Sequence, residues 1–333
     1  MIDTIYIEDG LDTDPRAARL LRRFPDATVV HCAHYAEVFN PAAQDFRLQK
    51  RRPALILAHK AGRHVLEAPA GFGIGGERNF YFSHMLNCLY DCRYCFLQGM
   101  FRSAHYVLFV NFEDFQVAID QTLARHPGED CYFFSGYDCD SLALESLTGF
   151  AAEFVPFFAV RPNALLELRT KSVAVRSLLQ QEAVPNVVVA YSFTPAPVAA
   201  AVEHGAPDVT SRIEALSKLA AAGWPLGIRL DPLLWYEGWR QGYDLLIQQL
   251  AAAIPAAALH SVSVGPLRFP RHMFQRIESM YPSELSLAGP LQQRGGVTSY
   301  SEQREAELTT YVSKRMHDAF PEVGVFSCTP TAT

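Results

Sequence analysis

The 333-residue chain has no run of about 18 uninterrupted apolar residues, so no membrane-spanning helix is expected. It has no excess of basic charge. Lys and Arg number 29 against 35 Asp and Glu, a formal net charge of −6, which disfavours a generally cationic nucleic-acid binder. It has no low-complexity tract and no repeat visible in the sequence. The opening stretch, Met1–Pro15, is acidic and lacks the basic-then-apolar layout of a signal peptide, so a cytoplasmic location is expected. Cysteines number seven, an odd count and too few for a disulfide scaffold in a chain this long. A cysteine-ligated centre accounts for them better. Apolar residues are plentiful at 49%, with 19% charged, enough for a large buried core in one large domain plus an appendage.

The N-terminal part reads as strand, helix, strand over Ile5–Ile7, Asp14–Phe24 and Ala27–His31, with further strand-like runs at Leu55–Leu57 and His64–Leu66. Gly, Pro and Arg then crowd residues 69–78, a loop by composition. Beyond it, strand candidates alternate with helix candidates. The strands are Phe80–Ser83, His105–Asn111, Cys131–Ser135, Leu165–Thr170, Asn186–Ser192, Leu226–Leu230 and Ser261–Val264. The helices are Cys92–Met100, Phe112–Arg125, Leu142–Val155, Ser172–Glu182, Asp208–Ala222 and Tyr243–Ala253. Repeated strand–helix units imply parallel strands with helical crossovers, here an α/β chain with a partial or full barrel. We expect an N-terminal α/β region over 1–75, the barrel over 76–270, and a C-terminal extension over 271–333. The extension carries an amphipathic helix at Ser301–His317 and a strand at Val323–Phe326.

Cys88, Cys92 and Cys95 stand in Asn-Cys-Leu-Tyr-Asp-Cys-Arg-Tyr-Cys-Phe-Leu-Gln, a C-x3-C-x2-C spacing with Tyr94 just before the last cysteine. Three thiolates on one loop can bind three irons of a 4Fe–4S cluster and leave the fourth open to an exogenous ligand. Zinc with a remote fourth ligand, and chance clustering of buried cysteines, are the competing readings.

This spacing resembles the signature of the radical S-adenosylmethionine (SAM) superfamily. Other residues narrow the resemblance to the spore photoproduct lyase family. They are Asn40-Pro41, Gln44–Lys50, Cys92–Met100, Phe109-Val110-Asn111, Arg169-Thr170-Lys171-Ser172 and Tyr236-Glu237-Gly238-Trp239 with Gly242-Tyr243. The resemblance covers about residues 35–325 and implies a partial (β/α)6 barrel. It implies a 4Fe–4S cluster on Cys88, Cys92 and Cys95, with SAM at the open iron. A 5′-deoxyadenosyl radical then attacks a thymine photoproduct in DNA, with a reducing partner such as flavodoxin or ferredoxin. By position, the resemblance sets Tyr94 near the adenosyl group, Asp140 near the SAM amine, Lys171 near its carboxylate and Ser192 near the methionyl end.

Two positions depart from the family pattern. Where the lesion-repairing enzyme has a hydrogen-donating cysteine, this chain has Tyr137, in Ser135-Gly136-Tyr137-Asp138-Cys139-Asp140. Cys139 is either a relocated donor or a core thiol. The tyrosine that follows the third cluster cysteine in the family is Phe96 here, which has no O–H. Tyr137 and Cys139 are therefore the candidates for the catalytic hydrogen donor or relay. A radical SAM enzyme acting on a small molecule or a protein, and a non-catalytic iron–sulfur or zinc protein, are the alternative functions.

Other signals are weaker. Gly71–Gly76 fits G-x-G-x-x-G, but Pro69 precedes it and a strand follows, so a turn over the SAM pocket is expected rather than a dinucleotide site. Of two basic groups, Arg47, Lys50, Arg51 and Arg52 read as a solvated face. Arg268, Arg271, His272 and Arg276, just past the last barrel strand, are the better phosphate contacts. Tyr300, between Arg294 and Arg304, is a candidate base wedge against the commoner surface tyrosine. Cys32, Cys131 and Cys328 read as buried apolar side chains, and His84 as a strand-edge histidine.

Overall fold

The computed structural model describes residues 2–39, 41–284, 287 and 289–328; Asn40, part of the sequence resemblance, lies outside them. Six parallel strands form the barrel sheet: Arg78–Tyr81, Cys131–Phe134, Ala164–Thr170, Val187–Ser192, Leu226–Leu233 and Leu259–Pro266. They lie side by side in chain order, the layout of a curled half-barrel. Leu66–Glu67 pairs antiparallel at one edge and Val325–Ser327 parallel at the other. The fourth strand, Val-Val-Val-Ala-Tyr-Ser, is buried throughout, as expected of a strand covered on both faces.

Long helices cover the outside, among them Phe112–Arg125, Phe150–Ala159, Val209–Ala221 and Trp239–Ala253. Their starts follow local chemistry. The Asp208 carboxylate accepts the Ser211 N–H at 2.7 Å, and Ser301 Oγ accepts the Arg304 N–H ahead of Glu302–Ala319. The helix expected over Leu142–Val155 is instead two, Glu145–Thr148 and Phe150–Ala159. Gly149 between them sits at φ +65°, a conformation that ends the first helix. Among the described residues no helix is long and apolar enough to cross a membrane.

The N-terminal strands form a second sheet in the order Thr28–Cys32, Thr4–Glu8, Leu55–Ala58, Tyr106–Phe109, Met85–Leu86. This sheet takes strands from both sides of residue 75. The segment expected as a barrel strand over His105–Asn111 joins it through Tyr106–Phe109, which lies between Leu55–Ala58 and Met85–Leu86. All four residues are buried there. The first barrel strand already has Leu66–Glu67 and Cys131–Phe134 as its two partners, so no edge is left for it. The helix expected over Cys92–Met100 shrinks to Leu97–Met100, because Asp91–Cys92 pairs as a strand with Glu203–His204. That over Ser172–Glu182 shrinks to Arg176–Leu179.

Inside the barrel, Arg229 on the fifth strand reaches over the fourth to Glu167 on the third, with Nη2–Oε2 at 2.7 Å. Both side chains are almost fully buried, and Arg229 also donates to the Ser261 carbonyl and hydroxyl at 3.0 Å. Gly227 makes room for this, since a Cβ there would lie 2.7 Å from Arg229 Nη2 and 2.9 Å from Ala190 Cβ. Replacing Arg229 with Met leaves an unpaired buried carboxylate. We expect a loss of about 3–5 kcal/mol, read as a lower urea midpoint, and a smaller loss when Glu167 is removed with it.

His84 is fully buried, with its ring 3.7 Å from that of Phe150 and nearly parallel. Burial pushes its pKa down to about 3. A depressed histidine stabilises the fold above its unfolded pKa and loses that contribution as pH falls toward its folded pKa. The window is therefore between about pH 6.5 and pH 3. On moving from pH 7 to pH 4.5, the unaltered chain should lose about 3 kcal/mol that His84→Phe retains, measured by urea denaturation at both pH values.

Candidate active site

The cysteine loop follows Met85–Leu86. Asn87 turns the chain in the left-handed region at φ +69°, and its Nδ2 donates to the carbonyls of Ser103 and His105 at 2.8 and 2.7 Å. Lys50 Nζ donates to the Cys88 carbonyl at 2.6 Å and the Tyr90 carbonyl at 2.9 Å. On the other side Cys92 pairs with Glu203, and the Arg93 N–H donates to the Val202 carbonyl at 2.9 Å. Cys88, Cys92 and Cys95 all face one cavity of about 390 Å³. Burial pushes the Cys88 thiol up to about 12, and raises Cys92 and Cys95 as well. Such thiols become thiolates only when a cation shares the site. Among the described residues no three His, Cys, Asp or Glu side chains gather as the ligands of a single ion.

The cavity opens at the C-terminal ends of the barrel strands, where loops can place chemistry on a rigid sheet. It brings together every residue that the sequence singled out for catalysis, cofactor binding or metal ligation. Tyr94 is buried, with its hydroxyl donating to the Glu203 carboxylate. Lys171 Nζ lies 5.5 Å from the Tyr94 ring centre and makes no ion pair among the described residues. Asp140 Oδ1 accepts from the Leu142 and Ala143 N–H groups and the Thr170 hydroxyl; Oδ2 accepts the Lys171 N–H at 2.7 Å. Its carboxylate thus ties the loop after the second strand to the end of the third. Ser192 Oγ accepts from Arg169 Nε at 3.4 Å. Tyr137 stacks on Tyr81 with ring centres 4.3 Å apart, and lies 5.7 Å from Phe96. Cys139 is buried at the cavity wall, its Sγ 3.7 Å from the Ser135 carbonyl.

Of the weaker signals, some stand and others change. Gly71–Gly76 is the connection of an antiparallel pair, with Phe72 and Ile74 on the cavity wall. Arg268 is committed to Asp231 at 3.0 Å, while Arg271 and His272 are exposed at the start of Arg271–Met280. Tyr300 is no wedge: it is buried, and its hydroxyl accepts the Trp235 N–H at 3.0 Å. Packing of Val297–Ser299 between Arg268–Pro270 and Gln292–Arg294 draws the following residue inward. Cys32 and Cys131 are buried as expected, and Cys328 is buried on the cavity wall. His84 is a core side chain rather than a strand-edge one.

Glu203 was not legible in the sequence. Its buried carboxylate receives Tyr94 and Arg212, and stands across a strand pair from Cys92. Against the upward push of burial, Lys171 and Arg212 hold its pKa below the ordinary range. A lone Glu ending an Ala-rich helix carries no local mark of this role. Tyr81 was missed for a similar reason, since only the parallel register brings it beside Phe134 and so near Tyr137.

A family model described as spore photoproduct lyase matches residues 80–328. The spore photoproduct lyase of Bacillus subtilis (strain 168) is 29% identical over 198 residues, 59% of this chain and 58% of the relative. That of Geobacillus sp. (strain Y412MC61) is 26% identical over the same span. The chain therefore spans 58% of the length of these curated relatives. Among solved structures, a spore photoproduct lyase mutant with bound AdoMet and dinucleoside spore photoproduct superposes with a TM-score of 0.84 at 20% identity, covering 98% of both chains. Another mutant, with the dinucleoside alone, gives 0.85 at 19% identity, covering 98% of this chain and 99% of that one. At such identity the superpositions speak for the fold, and the family match over the barrel speaks for descent: the chain belongs to the spore photoproduct lyase family.

Proposed function

We propose that this chain is a radical SAM lyase that reverts a thymine photoproduct in DNA. The observation that carries the reading is the convergence of three cysteine thiols, the Lys171 ammonium and an aromatic ring on one cavity at the barrel mouth. The residues fit the cofactors. These buried thiols ionise only beside a cation, which a 4Fe–4S cluster held by Cys88, Cys92 and Cys95 would provide. A cavity of about 390 Å³ suits a small-molecule cofactor. Bound together, cluster and SAM would supply radical chemistry: one electron passed to SAM would be consumed in releasing methionine and a 5′-deoxyadenosyl radical able to remove hydrogen from the lesion.

The chain's own residues hold and orient. Lys171 offers its ammonium to the SAM carboxylate, a charge-assisted contact in a largely closed site. Tyr94, locked by Glu203, sets the floor beneath that ammonium and the adenosyl group. Ser192 lines the methionyl end. Asp140 has one lone pair on Oδ2 left for the SAM amine after its four hydrogen bonds. Tyr137 and Cys139 stand where a hydrogen can be returned to the product radical. Burial raises both pKa values, so each keeps its hydrogen at neutral pH. DNA presents the lesion at the mouth, with the base turned out of the stack. A flavodoxin or ferredoxin serves as reductant.

The relatives' dinucleoside substrate names the test. Anaerobic incubation of the iron-loaded chain with SAM, a reductant and dinucleotide spore photoproduct should return two thymines. Formation of 5′-deoxyadenosine with an unaltered dinucleotide would direct the same radical chemistry to a small molecule or a protein. Tyr137 and Phe96, where the family pattern has cysteine and tyrosine, favour that second reading. Neither cleavage nor iron uptake would leave a non-catalytic protein.

Two substitutions probe the roles. Lys171→Ala should raise the KM for SAM about tenfold or more with iron content unchanged, equivalent to about 1.4 kcal/mol of lost binding. Tyr137→Phe keeps the ring and removes the O–H. Product return should collapse while 5′-deoxyadenosine still forms; unchanged turnover would transfer the donor role to Cys139, checked by Cys139→Ala.

A further inference from the structure

Electrons must enter this site from outside, and the structure shows one face of the cysteine loop to solvent. Leu89, between Cys88 and Tyr90, is 42% exposed. The short helix Phe46–Arg51 is held against the same loop. Asp45 caps it through the Leu48 N–H at 2.9 Å, and Gln49 Oε1 accepts from Ser103 and Ala104. Its Lys50 donates to the carbonyls on either side of Leu89. The helix turns Leu48 outward, 60% exposed, with Arg47 and Arg51 exposed beside it. A cleft of about 370 Å³ adjoins, lined by four cations, Arg47, Lys50, Arg51 and Arg93, against two carboxylates, Asp91 and Glu284. Arg47 and Arg93 both lie over the Tyr281 ring, at 5.7 and 4.1 Å from its centre.

We propose that this surface, Leu48 and Leu89 rimmed by Arg47, Lys50 and Arg51, docks an acidic one-electron carrier protein. The inference rests on the radical reading above and adds the place where the electron enters. The chain carries a net charge of −6, so an acidic carrier is repelled by most of it and drawn to a local basic face. Charge of this kind steers encounter and sets orientation, and small apolar contacts inside a charged rim suit a transient redox complex. Leu89 is one residue from a proposed cluster ligand, so a carrier seated there approaches the cluster closely. Tunnelling rates fall steeply with distance, so a seat beside Leu89 keeps the path to the proposed cluster short.

The test compares two reductants on the iron-loaded chain. Reduced flavodoxin and dithionite each drive 5′-deoxyadenosine formation from SAM, and the rate is followed for the unaltered chain and for R47E/R51E. We expect the flavodoxin-driven rate to fall tenfold or more at low ionic strength, with iron content and the dithionite-driven rate unchanged. For the unaltered chain, the flavodoxin-driven rate should fall with added salt and the dithionite-driven rate should not. That salt series tests the proposal even if the double variant misfolds, and R47Q/R51Q should show the same effect in smaller measure. Equal flavodoxin-driven rates in variant and unaltered chain, or no salt dependence, would overturn it. So would weakened binding of a DNA duplex by the variant with an intact flavodoxin-driven rate, which would assign the face to phosphates. No cleavage by the unaltered chain with dithionite would overturn the radical reading itself, and this inference with it.

Discussion

The structure depends on holding a cysteine loop that has almost no regular secondary structure of its own. From Asn87 to Phe96 the chain makes a two-residue strand and no helix. Its backbone groups must find partners elsewhere, because an unpaired buried peptide group costs about as much as a lost hydrogen bond. Lys50 supplies such partners from the N-terminal sheet side, and Asn87 ties the start of the loop to the Ser103 and His105 carbonyls. Glu203 and Val202 supply them from the barrel side. The loop is thus a seam between the two sheets. That explains why the N-terminal sheet takes Met85–Leu86 and Tyr106–Phe109, the two strands that bracket the loop, into its own layer. A loop anchored to one sheet alone would leave its thiols free to drift relative to the barrel mouth.

The barrel answers with charge placed in depth. Glu167 and Arg229 neutralise one another on the cavity lining, and Arg169, Asp231 and Arg268 form a second chain there. Arg268 is thereby withheld from solvent phosphates. Lys171 stands apart from both networks, above Tyr94 and, among the described residues, without an ion-pair partner. In a low-dielectric pocket a fixed, unpaired ammonium is a strong attractor for a carboxylate, because the desolvation cost is already met in the fold. Glu203 lowers that cost at a distance. Its carboxylate acts on the ammonium, yet its hydrogen bonds are spent on Tyr94 and Arg212.

What the sequence made legible follows from range. The last four barrel strands are buried nearly throughout, so their apolar runs are readable locally, and all six were expected within a few residues of their place. The C-x3-C-x2-C spacing is local as well, and the three thiols do meet at one cavity. What failed depends on pairing across the chain. Tyr106–Phe109 has the pattern of a barrel strand, and only the occupancy of both edges of Arg78–Tyr81 sends it to the other sheet. Residues 92–96 read as the start of a helix running to Met100, but pairing of Cys92 with Glu203 some hundred residues on holds the chain extended there. Tyr300 looks like a surface residue until a three-stranded antiparallel sheet forms around its neighbours. Glu203 and Tyr81 carry no local signal at all.

Replacement of a thiol by a phenol at position 137 has consequences beyond the identity of the donor. A cysteine side chain is short and needs no support, whereas the Tyr137 ring must be packed, and Tyr81 and Phe96 pack it. Phe96 therefore contributes a ring face in place of the missing hydroxyl, and the two departures from the family pattern are one structural unit. Burial raises the pKa of Tyr137 and of Tyr81, so both phenols keep their hydrogens at neutral pH, as a hydrogen-atom donor requires. Two stacked phenols also give a radical left on one ring a neighbour 4.3 Å away. In the proposed reaction Phe96 has no O–H to pass a radical along the cysteine loop.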